Sequence, residues 1–444
     1  MATLSLKRGS TTVDLIGGTD GVYLAHDGWA QGISHTDGLL VNEVLTLDAE
    51  GTNATNLAAR FNAVSDMIRA LKDRNRDRVA PDPTWLRAKL DGMSTTRQAV
   101  IEDAEAAFSS TLYSPPTRTA HVIPRWTLAI TRHPWERTST TNLTASVTNG
   151  SIASVGTPTG THKGRIWRTR VQTSGAFTRM WWGFRTNRYG TRSNFVPTWN
   201  CTDGTALNGA TDDGTDIVWA GTDTAMAMRL RFEMSQVSGM SGNYSDQRGR
   251  HLVLLVASVT HSSSTFYVKL ADGFRNSANW YTRDPVLVDQ GIHGTAIQVF
   301  PIGTVQIPPA PLRDTAASNA LLNDYALAVY AQEATDGSGS LKMRYLILIP
   351  QSEGACYVDG VTVANASNTV GYVYTEADGE YSAFSSDGAS VTNSPDDFQV
   401  TDYWLPTDPC SVVFVGTHNT SGYVPTRTAT LNFLYYPRWA ALAP

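Results

Sequence analysis

The sequence predicts a mainly β protein, a multi-domain β-sandwich or jelly roll with one prominent helix in its N-terminal domain. Three observations predict this class. Most of the chain alternates apolar and polar residues with a period of two, the pattern of strands with one buried face. Clusters of Gly, Asn, Asp and Pro separate these segments, as turns separate short strands. One segment alone has clear helical periodicity.

The helix is predicted over residues 53–77. Its apolar residues recur at spacings of four and three, which places them on one face of a helix. Asn53 or Thr55 can cap its start, and its polar end carries cations near the negative end of the helix dipole. We expect the stripe to pack on a sheet of the same domain, with a helix pair between subunits as the alternative. The stripe consists of Leu57, Phe61, Val64, Ile68 and Leu71.

Strands are predicted on both sides of the helix and through the rest of the chain. The segment 41–47 leads into the helix, and the segment 84–90 follows it with Leu86, Ala88 and Leu90 on one face. Further strands are predicted at 125–132, 165–172, 177–185, 225–234, 252–259, 265–270, 296–300, 341–349, 371–374, 411–416 and 428–435.

Two proline-containing segments divide the predicted strands into three units. Breaks near residues 117 and 310 are expected because each proline fixes φ and biases the preceding residue toward extended geometry. Residues 1–117 are predicted to be a β-sandwich with the helix and are the candidate assembly domain. Residues 118–310 are predicted to be a jelly-roll-like sandwich, and residues 311–444 a second sandwich ending in strand 428–436. Residues 118–444 could equally form one double sandwich.

Composition argues against several classes of protein. Charged residues make up 17% of the chain, below the usual ~25%, which suits strands and surfaces buried between subunits. The net charge of −5 disfavours nucleic-acid recognition, which needs a basic surface. We expect no membrane span and no signal peptide, and therefore synthesis in a cytoplasm, because neither apolar pattern occurs.

Motifs for catalysis or for cofactor binding do not occur in the sequence. It lacks GxSxG, HExxH, a P-loop and a dinucleotide-binding GxGxxG, and its three cysteines form no zinc motif. We therefore expect no enzyme activity, no cofactor and no metal. A catalytic site assembled from distant residues is the alternative. The loop 212–216 offers oxygen ligands for calcium, but its spacing favours a solvated hairpin turn.

An aromatic cluster in the middle of the chain is the candidate ligand site. Trp181 and Trp182 are adjacent in a predicted strand and must point to opposite faces, so one is expected to point away from the core. Exposed aromatic rings beside polar residues suit stacking on sugars, whereas filling a core or a subunit interface is the favoured alternative. The candidate glycan-binding residues are Trp181, Trp182, Tyr189, Trp199, Trp280 and Tyr281.

The order of these elements resembles that of bacteriophage tail structural proteins. The strand at 41–47, the helix at 53–77 and the strand at 85–90 are similar in layout to distal tail and tail-tube ring proteins, in which a β-sandwich with one helix builds a ring around the tail channel. The later regions resemble jelly-roll or galectin-like modules carried on the outside, and the ending at 428–439 resembles the terminal strand of phage virion proteins. The resemblance implies a non-enzymatic subunit of the virion tail that forms a homo-oligomeric ring or tube with other phage tail proteins. Host-surface glycans are a further candidate partner.

Overall fold

The structure is a computed structural model of the chain. It describes residues 2–16, 22–31, 40–49, 59, 62–69, 71, 83–113, 121–186, 195–221, 225–234, 237–238, 244–276, 279–282, 286–287, 291–308, 324–334, 338–352, 354–359, 369–375, 380–386, 397–401, 404–439 and 441–442.

Nearly all regular structure within these ranges is strand. In chain order the first strands are β1 (Thr3–Arg8), β2 (Thr11–Asp14), β3 (Val22–Ala30), β4 (Val41–Ala49), β5 (Thr84–Lys89), β6 (Arg97–Tyr113), β7 (His121–Arg132) and β8 (Trp135–Arg137). They are followed by β9 (Thr141–Thr148), β10 (Ser151–Gly156), β11 (His162–Thr173), β12 (Arg179–Thr186), β13 (Thr198–Asn200), β14 (Thr205–Ala206), β15 (Ala210–Asp212), β16 (Ile217–Ala220), β17 (Ala227–Glu233), β18 (Gly249–Val259), β19 (Phe266–Asn276), β20 (Asn279–Thr282) and β21 (Val286–Leu287). The last are β22 (Gln298–Ile307), β23 (Asp324–Glu333), β24 (Ser340–Pro350), β25 (Ala355–Asp359), β26 (Thr369–Thr375), β27 (Glu380–Ser386), β28 (Asp397–Thr401), β29 (Trp404–Leu405), β30 (Cys410–Thr417) and β31 (Thr428–Trp439). Short 3-10 helices span Cys201–Asp203 and Tyr244–Gln247, and residues 59, 62–69 and 71 are α-helical.

The strands up to β8 fold around a core of their own. One sheet path runs β2-β1-β5-β6-β8, and β7, β4 and β3 continue from β6. Strand β4 alternates buried and more exposed residues, so that one of its faces packs inward. The helix covers this core with Val64, Met67 and Leu71, all of which are buried.

After β8 the chain forms a stack of sheet layers. The first layer is the large-sheet segment β9-β31-β11-β26-β27, and the second is a five-stranded sheet in the order β10-β30-β12-β25-β28. Two six-stranded sheets follow, one containing β18, β22 and β24 and the other β17, β19 and β23. One core, with Ile166 and Phe433, lies between the first two layers, and another, with Leu255 and Leu327, joins the remaining layers.

Strands of the inner layers are buried on both faces. Every residue of β18 from Val253 to Val259 is buried, as is every residue of β12 from Met180 to Arg185. Successive side chains of a strand point to opposite faces, so continuous burial requires a packed layer on each side. This explains why β18 carries an unbroken apolar run from Leu252 to Ala257.

Strand β31 joins the N-terminal region to the stack. It pairs with β9 and β11 along most of its length, and its end pairs with β8. The Arg97 guanidinium lies 4.1 Å from the centre of the Trp439 ring, and its Nη1 donates to the Ala441 carbonyl oxygen at 2.7 Å. Leu442 is fully buried among the side chains of the N-terminal core. Trp439 and Ala441 therefore contact the N-terminal region, and Leu442 forms part of its core.

The structure confirms the mainly β class with several antiparallel sheets and one helix. Each predicted strand coincides with a strand of the structure. Of the helix predicted at 53–77, the described residues 59, 62–69 and 71 are helical, and the others lie outside the described residues. A jelly-roll connectivity stays a prediction.

The division near residues 117 and 310 also stays a prediction. Strands on both sides of each position are hydrogen-bonded to one another. Strand β6 pairs with β7 across residue 117, while β23 and β24, which follow residue 310, pair with β17, β19 and β18, which precede it.

Candidate assembly edge and candidate ligand cleft

The long strand β6 has an edge along which no other described strand pairs. Its partner β7 occupies one edge as far as the Tyr113–His121 pair, whereas β5 occupies the other edge only between Arg97 and Val100. On the other side of the hairpin, the described pairing of β4 with β7 ends at the Asp48–Arg125 pair, whereas β7 pairs with β6 as far as His121.

The unpaired edge is charged near its start and neutral toward its end. Glu102, Asp103 and Glu105 are exposed near its start, and charges of this kind discourage pairing with other chains. From Ala106 to Tyr113 the strand has no charged residue. A neutral edge with free backbone groups is a template for pairing with another strand.

The predicted helix stripe is divided between described and undescribed residues. Val64 and Leu71 are buried in the N-terminal core, and Ile68 is partly buried against it. Leu57 and Phe61 lie outside the described residues. Met67, which was not in the predicted stripe, is buried beside them.

Three of the predicted glycan-binding residues are core residues, which corrects their assignment. Trp181, Trp182 and Trp199 are 2%, 0% and 0% exposed, so their rings have no face available to a sugar. Trp181 and Trp182 do point to opposite faces, but each face of the five-stranded sheet is covered by a core. The expectation that one of them points to solvent is wrong for this reason. Tyr189 and the side chains of Trp280 and Tyr281 lie outside the described part of the chain.

A cleft of about 760 Å³ opens where three sheet layers meet. Its volume falls within the ~300–1,000 Å³ of small-ligand sites. The five-stranded sheet and its loops form one wall, and the two six-stranded sheets form the others. The side chains that matter for its chemistry are Arg179, Thr265, Tyr267, Gln298, Phe300 and Asn419.

Hydrogen bonds fix the wall of the cleft around Asn419. Gln298 Nε2 donates to the carbonyl oxygens of His418 and Asn419 at 3.1 and 3.0 Å. The backbone N–H of Asn419 donates to Thr178 Oγ1 at 3.0 Å, and this hydroxyl donates to Asn419 Oδ1 at 3.0 Å. The Asn419 Nδ2 donors have no partner among the described residues, so they remain available to a ligand.

Hydrogen bonds also fix the segment 291–296, which lines the cleft. Ile292 exchanges two backbone hydrogen bonds with Phe266, at 2.8 and 3.0 Å, which fastens the 291–296 segment to β19. His293 Nδ1 lies 3.0 Å from the Gly291 carbonyl oxygen and donates to it. The other ring nitrogen of His293, an exposed residue, is therefore free to face solvent or a ligand.

The buried titratable groups near β18 are structural. His251 Nε2 donates to the Gln247 carbonyl oxygen at 2.9 Å, and its ring stacks on Phe195. Burial, and then the Arg185 guanidinium, lower the pKa of His251 from 6.5 to about 3. A histidine that stays neutral at ordinary pH and faces a core is not placed for acid–base chemistry.

The loop 212–216 is a hydrogen-bonded turn. Asp213 Oδ1 accepts the backbone N–H groups of Thr215 and Asp216 at 2.9 and 2.7 Å, and these bonds lower the pKa of Asp213. Asp216 forms a bidentate ion pair with Arg344 at 2.7 and 3.0 Å.

Throughout the described residues, no group of three or more His, Cys, Asp or Glu side chains is placed to hold a metal ion. No helix there is long and apolar enough to cross a membrane.

Comparisons with known proteins do not assign a family. No family model and no curated protein matches the chain. Among solved structures, the chain is similar to the SPP1 Dit protein, described as a paradigm of the hub adsorption apparatus in phages that infect Gram-positive bacteria. The identity is 12%, the match covers 75% of this chain and 99% of that chain, and the TM-score is 0.23.

Two further structures show likenesses at the same level. The baseplate of phage P2 in its activated conformation with Ca matches at 8% identity over 78% of this chain and 98% of that chain, with a TM-score of 0.18. The infectious bursal disease virus Gx strain matches at 9% identity over 79% and 83%, with a TM-score of 0.17. At such TM-scores the likenesses carry no argument about fold or function.

The cleft residues were not predicted from the sequence. Arg179, Gln298 and Asn419 are separated by more than a hundred residues in the chain and share no motif. The sheet layers alone bring them together, so no local pattern could have found them.

Proposed function

We propose that the chain is a non-enzymatic structural subunit of a bacteriophage virion, a tail protein that assembles into a symmetric ring or tube. The observation that carries the proposal is the neutral edge of β6 from Ala106 to Tyr113, along which no described strand pairs. Closed homo-oligomers are built from repeated contacts, and strand-to-strand pairing is one way to form them. The phage assignment itself rests on the resemblance of the strand–helix–strand layout to tail ring proteins.

The distribution of buried surface supports the same proposal. Free energy is gained in this chain by packing sheets on sheets, with cores on both faces of the inner layers. A low share of charged residues suits further burial between copies. The protein would locate to the virion tail and contact other tail proteins there.

Electron microscopy and light scattering of the purified chain test the assembly proposal. Rings or tubes of one copy number are expected. Ala106→Lys places a charge beside the free edge and should shift the protein toward monomers, while Ala220→Lys, an exposed alanine on the paired strand β16, should leave assembly intact. A chain that stays monomeric at high concentration and is absent from particles contradicts the proposal.

Recognition of host-surface glycans is the second function we propose, as a property of the same subunit. The cleft favours this function, because it offers a concave surface with an aromatic ring and with hydrogen-bond donors that have no partner among the described residues. The predicted aromatic set does not carry this function through Trp181, Trp182 or Trp199, which are buried. A glycan array tests it, and the absence of binding to any glycan would contradict it.

A further inference from the structure

We propose that the cleft binds an anionic saccharide and that Arg179 holds its negative charge. This inference rests on the glycan recognition proposed above and specifies its site and ligand class.

The charge of the cleft points to an anion. Arg179 stands at the start of β12, half-buried, and no carboxylate pairs with it in the described part of the chain. None of the described residues that line the cleft is Asp or Glu. A guanidinium without a carboxylate partner favours a bidentate carboxylate or phosphate ligand.

Asn419 offers a second donor to the cleft. Asn419 Nδ2 is free of partners among the described residues, while its Oδ1 is occupied by Thr178. The Oε1 of Gln298 accepts from Thr417 at 2.8 Å and its Nε2 holds the turn, so Gln298 acts as a brace and contacts no ligand directly. The donors of Arg179 and Asn419 both suit ligand oxygens.

The aromatic surface of the cleft and its single arginine favour a sugar over a nucleotide as the ligand. Tyr267 is half-buried and offers part of a ring for stacking, and Phe300, 7% exposed, contributes apolar surface. One arginine can balance one negative charge, as on a uronate or on a phosphodiester that links two sugars. A nucleoside triphosphate would bring several charges and normally needs a phosphate-cradling loop or a metal.

Calorimetric titration of the full chain at physiological salt tests the inference. The probes are an oligogalacturonate, its neutral galactose counterpart and a sugar-phosphate oligomer. We expect at least one anionic probe to bind ten-fold or more tightly than the neutral probe. Arg179→Gln should remove this preference. The matched control is Arg170→Gln, an exposed arginine on β11 outside the cleft lining, which should leave the preference unchanged.

A second variant separates loss of the site from loss of the fold. Thr295→Trp fills the cleft from an exposed position and should abolish binding, with an unchanged circular dichroism spectrum and melting temperature. Preference for the carboxylated or for the phosphorylated probe identifies the source of the charge, and either supports the inference. Equal binding of neutral and anionic probes, or a preference that survives Arg179→Gln, overturns it while glycan recognition stands. Binding of no probe here and of no glycan on an array overturns both.

Discussion

Trp181 and Trp182 are neighbours in the chain, yet they lie in two different hydrophobic cores. Trp181 stacks on Tyr357 with ring centres 5.1 Å apart, in the core shared with the six-stranded sheets. Trp182 packs in the core against the large sheet. The five-stranded sheet therefore connects two cores, and β12 contributes to both of them.

Each of these tryptophans should be essential to stability. Trp181→Ala or Trp182→Ala is expected to lower the free energy of unfolding by about 3–5 kcal/mol, because each leaves a large cavity in a packed core. Urea denaturation followed by circular dichroism measures the loss. The exposed Thr144→Ala should change it by less than about 0.5 kcal/mol. A small loss in either tryptophan variant would mean that its ring is not in a core.

Replacing one partner of the buried ion pair between Arg132 and Glu43 should lower the free energy of unfolding more than replacing both. Both side chains are fully buried, the Arg132 guanidinium lies 4.4 Å from the Trp135 ring centre, and Trp29 Nε1 donates to Glu43 at 3.2 Å. Arg132→Met leaves an uncompensated buried carboxylate and is expected to cost about 3–5 kcal/mol.

The double variant Arg132→Met with Glu43→Gln should regain part of that stability, because it removes the isolated charge. Thermal unfolding of the two single variants and the double variant completes a double-mutant cycle. Additive losses would contradict a coupled buried pair.

Acid should destabilise the fold through His251. Its pKa is lowered to about 3 in the folded chain by burial, and the ordinary value is 6.5. Between pH 6.5 and pH 3 the unfolded chain binds this proton and the folded chain does not. Protonation of His251 therefore does not affect the free energy of unfolding above pH 6.5. Below pH 6.5 it lowers this free energy by about 1.4 kcal/mol per pH unit.

Unfolding free energies measured from pH 8 to pH 4 test this slope. His251→Phe should flatten it, whereas His293→Phe, at an exposed position, should leave it as in the unmodified chain. An unchanged slope in His251→Phe would assign the acid sensitivity to other groups.

Gly183 should tolerate no side chain. A Cβ at this position would lie 2.1 Å from the carbonyl oxygen of Pro350 and 2.9 Å from Ile349 Cγ2, so the five-stranded sheet and β24 would have to move apart. Gly183→Ala is expected to lower stability by about 1–3 kcal/mol, and Gly183→Val by more. Chemical denaturation of both variants measures the graded loss, and two variants as stable as the original chain would exclude the close approach.

The alternation of apolar and polar residues predicted the positions of most strands, but it did not predict how the sheets stack on one another. The alternation in β4 and β31 is visible because one face of each is more exposed. In β12 the residues from Met180 to Phe184 are all non-polar, and only the presence of a layer on each side shows that both faces are buried. Such long-range packing has no signature within a single strand.

Strand β6 was not predicted as a strand, for a different reason. Its central segment, with Ala99, Glu102, Ala104, Glu105 and Ala106, has favourable helix propensity. Pairing with β5 and β7 outweighs this preference, as tertiary context often does. The candidate assembly edge and the cleft both depend on such pairings, and neither could be located before the sheets were known.

The burial of Leu442 sets the order in which the polypeptide can reach its native state during translation. The first 137 residues leave the ribosome early, but the side chain that completes their core is made about three hundred residues later. A nascent chain released before that point would lack this side chain and leave part of the N-terminal core open to solvent. Only chains synthesised through residue 442 can close it.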